Sequence, residues 1–302
     1  MKIIITGALG HIGSYVFHHL LKKKFIKKIY LIDNLQSQRY CSLFNIPKNN
    51  KIKFINIDLS KKLIDFNSDI LIHFAAKTDA AQSHVLEKEF IKNRKITSNI
   101  LKYCNKHKVK IIFASSTSVY GPQSDLVDED CHKNDLRPQS PYALTKLKEE
   151  KDIQQKSLNN FLILRLGTIY GFSNGIRFHT AVNKFCLQSS EGKPLTIWKT
   201  ALHQKRPYLS LEDLSKAIVH ILKNNLINNE IYNLVSGNFT VNKIVNIIKL
   251  KNKTTKIKFV DHKIMNQLSY NVDTKKFQRT NFKFNAKLVV NINNTLKKLS
   301  FF

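Results

Sequence analysis

The sequence predicts an α/β fold: a doubly wound parallel sheet followed by a smaller, discontinuous C-terminal unit. Two observations carry this reading. Short apolar runs alternate with stretches of helical spacing through the first half of the chain, and a glycine cluster closes the first run. Such alternation belongs to a parallel sheet covered by helices on both faces.

The elements follow in order. Lys2–Thr6 is an apolar run ending in glycines, and Gly13–Lys24 has helical spacing. Ile29–Ile32 is a second apolar run and stops at Asp33. Ile52–Ile57, Ile70–Phe74, Val109–Phe113 and Phe161–Leu164 continue the series. Helix-like stretches lie near Glu87–His107 and Tyr142–Ser157. From Leu166 onward turns become denser, with Gly171, Gly175, Gly192, Pro194 and Pro207. We therefore draw a sheet domain over residues 1–165, with a returning strand near 230–236, and a substrate-binding unit over 166–302. That unit is expected to cap the sheet's carboxyl edge, where open α/β sheets bind ligands.

Composition narrows the function classes. Hydrophobic residues make up 42% of 302, the ordinary globular range. No apolar run is long enough to span a bilayer. The Met1–Ile5 start meets Gly7 at once and has no small-residue cleavage site, so a signal peptide is not expected. Cys41, Cys104, Cys131 and Cys186 are scattered without metal spacing, which fits free thiols in a reducing cytoplasm. The net charge is +29, but only seven of the 50 basic residues are arginine. The lysine excess runs along the whole chain, so nucleic acid is not the expected partner.

Gly7-Ala8-Leu9-Gly10-His11-Ile12-Gly13 follows the first strand and opens a helix. Glycines there permit a tight turn and close backbone approach to a pyrophosphate, and the helix N-terminus offers free N–H groups. Asp33 stands 20 residues after Gly13, where an acid binds ribose hydroxyls and repels a 2′-phosphate. The cofactor expected in this Rossmann-type domain is NAD.

The GxxGxxG spacing resembles the extended short-chain dehydrogenase/reductases, in the nucleotide-sugar epimerase/dehydratase branch that includes UDP-glucose 4-epimerase. By that resemblance Asp33-Asn34 follow the second strand, Asp58-Leu59 contact adenine, and His73-Phe74-Ala75-Ala76 run beside the cofactor. Asn93 and Asn99 match asparagines of the next helix. The resemblance covers nearly the whole chain and is strongest before about residue 215.

Tyr142 and Lys146 lie four apart, on one face of a helix. A tyrosine is a poor base at neutral pH; a nearby ammonium and a positive nicotinamide favour its phenolate. With ten tyrosines and 43 lysines this spacing arises about once by chance, so context decides. Ser140-Pro141 precede the helix, and Ala114–Gly121 resembles the family's Ser-Ser-Ser-x-x-Val-Tyr-Gly stretch. That alignment puts the catalytic hydroxyl on Ser116.

Family dehydratases carry an Asp-Glu pair just after this hydroxyl; here those positions are Thr117 and Ser118. Neither titrates, which disfavours dehydration and leaves oxidation and re-reduction at one carbon, C4 by resemblance. The alternatives are a reductase or dehydratase of the same family, or a non-catalytic Rossmann binding protein.

On the substrate side, Leu164–Gly171 resembles the family's crossing between domains, with Thr168 where many relatives have asparagine. Arg206 matches a family arginine and is the first candidate for the pyrophosphate; Arg177 is the second. Trp198 is placed to stack on a base or to pack between domains. Ser210 and Asp213 read as a helix cap. Gln267-Leu268-Ser269-Tyr270 resembles a late segment that often carries an arginine where Leu268 stands. The resemblance implies a homodimer formed through the two long helices, surface-polysaccharide or activated-sugar metabolism, and no metal.

Overall fold

The computed structural model describes residues 1–78, 87–123, 126–158, 160–261 and 270–300. Gln267, Leu268 and Ser269 lie outside the described residues.

The first half alternates strand and helix: β1 (Lys2–Thr6), α1 (His11–Leu21), β2 (Lys28–Asp33), the short α2 (Tyr40–Phe44), β3 (Ile52–Asn56) and β4 (Ile70–His73). Then come α3 (Glu87–His107), β5 (Lys110–Ser116), the two-residue β6 (Leu126–Val127), α4 (Pro141–Lys156) and β7 (Phe161–Leu166). The second half holds β8 (Thr168–Tyr170), α5 (Ala181–Ser190), β9 (Leu195–Trp198), β10 (Lys205–Ser210), α6 (Leu211–Lys223) and β11 (Glu230–Leu234). It closes with β12 (Gly237–Thr240), α7 (Val241–Lys251), β13 (Ile257–Val260), β14 (Asn271–Val272), α8 (Lys275–Gln278) and α9 (Leu288–Leu299).

Seven strands form the main sheet in the order β11-β7-β5-β4-β1-β2-β3, and every neighbouring pair is parallel. The order reverses between β1 and β4, which leaves a crevice beyond their carboxyl ends. At one edge of the sheet β11 pairs with β7, Glu230 opposite Leu162 through Leu234 opposite Leu166.

The continuous apolar character of β1 follows from burial on both faces: Ile3, Ile4 and Ile5 are all fully buried. Side chains alternate across the sheet. Ile3 and Ile5 meet Val16, Phe17 and Leu20 of α1 with Leu214, Ile218 and Ile221 of α6. Ile4 joins the opposite core, with Ile100, Leu101 and Cys104 of α3 and Ile153 of α4.

A second core lies between α5, α7 and α9, where Phe185, Ile244, Ile248, Ile292 and Leu296 pack with Tyr170 and Tyr208. Helix α6 and the Phe277–Phe282 pair lie with the main sheet instead, so the large core draws on more of the second half than β11. Ser210 caps α6 by accepting from the Asp213 amide at 2.9 Å. The buried Asp213 carboxylate in turn accepts from the amides of Asn285 and Ala286.

Candidate active site

The glycine turn is built by geometry that excludes side chains. Gly7 has φ +64°, and a Cβ there would lie 2.7 Å from the Ala75 nitrogen. A Cβ on Gly13 would lie 2.3 Å from the Gly7 carbonyl oxygen. Gly10 forms the N-cap of α1, whose first-turn N–H groups lack intrahelical acceptors. The second half of the chain clamps this turn. His11 bonds through Nε2 to the Gly171 carbonyl at 2.9 Å, and Ser173 Oγ donates to the His11 carbonyl at 2.9 Å. The Gly175 amide donates to Ser14 Oγ at 3.2 Å. Burial pushes the His11 pKa down to about 4, so the ring is neutral.

Asp33 ends β2 with its carboxylate between two amides: Leu9 donates to Oδ2 and Leu35 to Oδ1, both at 3.0 Å. Burial raises its pKa, against the pull of those amides. Asn93 spends its amide on a loop: it accepts from the Lys77 N–H at 2.9 Å and donates to the Lys77 carbonyl at 3.0 Å. Asn99 likewise donates to the Leu59 carbonyl at 2.8 Å. Both asparagines therefore fix loops beside the crevice.

Helix α4 starts where Ser140 Oγ accepts from the Ala143 amide at 3.2 Å, with Pro141 in the first turn. This cap sets the register that points Tyr142 and Lys146 toward the end of β5. Tyr142 is hydrogen-bonded to the Ser116 side chain and meets the Phe90 ring edge-on, centroids 6.0 Å apart. Ser116 Oγ also accepts from the Ser118 amide at 3.2 Å and from Ser118 Oγ at 2.9 Å. Lys146 is 3% exposed; its Nζ lies 4.4 Å from the Phe113 ring centroid and 3.1 Å from Glu149 Oε2.

The electrostatics differ from the simple sequence expectation. Lys146 and the Ser116 hydrogen bond do favour the phenolate of Tyr142, as does Arg177. Burial outweighs them and Glu149 opposes them, so the phenol sits above its ordinary pKa. Sequence reasoning missed Glu149. Arg177 acts electrostatically on both Tyr142 and His11 and hydrogen-bonds Thr78, which puts it close to the chemistry. The Arg206 guanidinium lies 5.9 Å from the Trp198 ring centroid. Tyr270, beside Tyr142 and Arg206, is 3.3 Å from Thr117 Oγ1.

One cavity of about 1170 Å³ unites these groups. Gly7, Gly10, His11, Ile12, Gly13, Asp33, Asn34, Asp58, Leu59, Ala75, Ala76 and Asn93 line one side. Ser116, Tyr142 and Lys146 lie in the middle, and Thr168, Arg177, Trp198 and Arg206 line the other side. A dinucleotide fits the first side: the turn has no room for a Cβ, a helix N-terminus faces it, and a carboxylate ends the next strand. Among the described residues no group of three or more His, Cys, Asp or Glu is placed to hold a metal. No described helix is long and apolar enough to cross a membrane.

Sheet order, glycine turn and the Tyr142–Lys146 pair define a dinucleotide-dependent α/β enzyme. Residues 3–234 match the model of the NAD dependent epimerase/dehydratase family, and the chain belongs to it. It is 31% identical over 237 residues to an uncharacterized UDP-glucose epimerase, YtcB, of Bacillus subtilis, covering 74% of this chain and 72% of that one. It is 30% identical to dTDP-D-glucose 4,6-dehydratase of Dictyostelium discoideum, over 82% of this chain and 62% of that longer one. Among solved structures, the UDP-glucuronic acid 4-epimerase from Bacillus cereus in complex with NAD superposes with a TM-score of 0.83. That pair is 26% identical, over 99% of this chain and 100% of the other. The cofactor is accordingly NAD.

Proposed function

We propose that this chain is a nucleotide-sugar 4-epimerase that keeps its NAD between turnovers. The observation that carries the reading is the convergence of Ser116, Tyr142 and Lys146 on one cavity whose neighbouring positions, Thr117 and Ser118, hold no acid or base.

Gly7, Gly10, Gly13 and Asp33 would hold the cofactor, which supplies a hydride acceptor and later a hydride donor. Ser116 holds the sugar oxygen by hydrogen bond while Tyr142 takes its proton. Lys146 stabilises the phenolate that does so. The cavity leaves room for the keto sugar to turn, so that its carbon would take hydride back on the other face while Tyr142 returns the proton to the oxygen. The lining residues from 166 onward include Arg177, Lys184 and Arg206 and no acid among those described, which suits a pyrophosphate. Arg206 would grip it bidentately, with Trp198 stacking on the base and Thr168 bonding phosphate or sugar. Free cysteines support a reducing, cytoplasmic setting in activated-sugar or surface-polysaccharide metabolism. The exposed apolar residues of α3 and α4 support a homodimer.

The test incubates the purified protein with catalytic NAD and a panel of nucleotide hexoses and hexuronates. Isomer composition and NADH absorbance are followed together. Interconversion of two C4 isomers without net NADH is expected, and Tyr142→Phe should lower the rate about 10²–10⁴-fold. NADH rising in step with product means a dehydrogenase, and a 4-keto-6-deoxy product means a dehydratase; either result rejects the epimerase.

A further inference from the structure

The segment Lys146-Leu147-Lys148-Glu149-Glu150-Lys151-Asp152 contains three deeply buried charges: Lys146, Glu149 and Glu150. Glu150 is accounted for. It forms an ion pair with Arg165 at 2.8 Å and accepts a hydrogen bond from Ser115. Glu149 is not accounted for by packing. Its side chain is 1% exposed and turns toward Lys146, with Oε2 3.1 Å from Nζ. The contact has ion-pair distance but not hydrogen-bond alignment. Nothing in the proposed epimerisation requires an acid there.

The other oxygen of Glu149 ends a buried chain with one direction. Thr6 Oγ1 accepts from the Ala75 amide at 3.3 Å and lies 2.7 Å from His73 Nδ1. Thr97 spends its hydroxyl proton on Glu149 Oε1, so across 3.4 Å it accepts from His73 Nε2–H, and His73 Nδ1 accepts from Thr6. Burial holds His73 at a pKa of about 3, so it stays neutral. Each link donates toward Glu149, whose Oε1 accepts from Thr97 while Oε2 faces the Lys146 ammonium.

We propose that Glu149 is a positioning residue for the base: its carboxylate holds the Lys146 ammonium and competes with Tyr142 for that cation, and so sets the pH range in which the site works. This rests on the reading of Tyr142 as the base. The charged and titratable groups facing the pair come from several elements. Lys146 and Glu149 lie on α4, His73 on β4, Arg177 after β8, and Tyr270 before β14. Of these, Lys146 and Arg177 favour the phenolate and Glu149 opposes it. Removing the negative charge while keeping the shape leaves the ammonium to the phenol alone. The phenolate then forms at lower pH, and the acid limb of the rate profile moves the same way.

The test titrates the phenolate absorbance of the full chain without substrate, as the difference between each protein and its Tyr142→Phe counterpart. Glu149→Gln is expected to lower the Tyr142 midpoint by about one pH unit. Thr97→Val removes the hydroxyl that links His73 to Glu149, keeps the carboxylate, and is expected to leave the midpoint at or above the wild-type value. It remains informative where Glu149→Gln fails to fold. An unmoved or raised midpoint in Glu149→Gln, or a fall in Thr97→Val, overturns the proposal. Because the titration needs no turnover, a failure of the base reading is seen separately, as activity that survives Tyr142→Phe.

Discussion

At the residue scale, the cofactor turn is a matter of space. The Gly13 position offers 2.3 Å between a new Cβ and the Gly7 carbonyl and 2.8 Å to the Ala8 Cα, and both are backbone atoms that cannot swing aside. Gly13→Ala must therefore shift α1 against the turn that precedes it. Overpacking of this kind costs about 1–3 kcal/mol. NAD affinity, measured by equilibrium titration, is expected to fall at least about tenfold with a lower melting temperature. Unchanged affinity would mean that the turn is not the dinucleotide cradle. This glycine was legible because spacing, strand and helix coincide in thirteen residues. Glu149 was not legible. A run of Lys, Glu and Asp in a helix reads as a solvated face, and only tertiary packing shows that one face of α4 presses Lys146, Glu149 and Glu150 into the protein.

At the element scale, the parallel sheet was readable because strands buried on both faces must be apolar throughout, as Ile3–Ile5 and Leu162–Leu164 are. The second half was harder to read. Its strands are two to six residues long, and its core comes from helices α5, α7 and α9, which lack the strand–helix rhythm. Helices α3 and α4 carry the remaining element-scale question. Arg94 of α3 bonds Asp152 of α4 at 2.7 Å, so the two form one surface. Ile91 on that surface is 65% exposed and Leu144 is 42% exposed, whereas Ile100 and Leu101 face the core. Two apolar side chains on a paired-helix face fit self-association. The wild-type chain is expected to sediment as a dimer, and Ile91→Asp with Leu144→Asp as a folded monomer. A wild-type monomer at micromolar concentration would remove the homodimer.

At the scale of the whole molecule, two neutral histidines tie stability to pH. His11 joins the halves of the chain through Gly171, and His73 lies between Thr6 and Thr97; burial lowers their pKa values from 6.5 to about 4 and about 3. Each binds a proton in the unfolded chain at a higher pH than in the folded one. Their contribution is therefore complete above pH 6.5 and is lost as pH falls from there toward 4. Between pH 7 and 5 each costs about 2 kcal/mol. Asp33 and Glu129, whose carboxyls are raised by burial, oppose this trend but titrate from lower ordinary values. Urea unfolding at the two pH values, without added NAD, should show the wild type losing several kcal/mol. His11→Asn should lose about 2 kcal/mol less over the same interval, whatever its stability at pH 7. Comparing slopes in this way separates proton linkage from the packing that the substitution also removes. Equal slopes would mean that His11 takes up its proton as readily in the folded protein as in the open chain, and the clamp across the two halves would then be open to water.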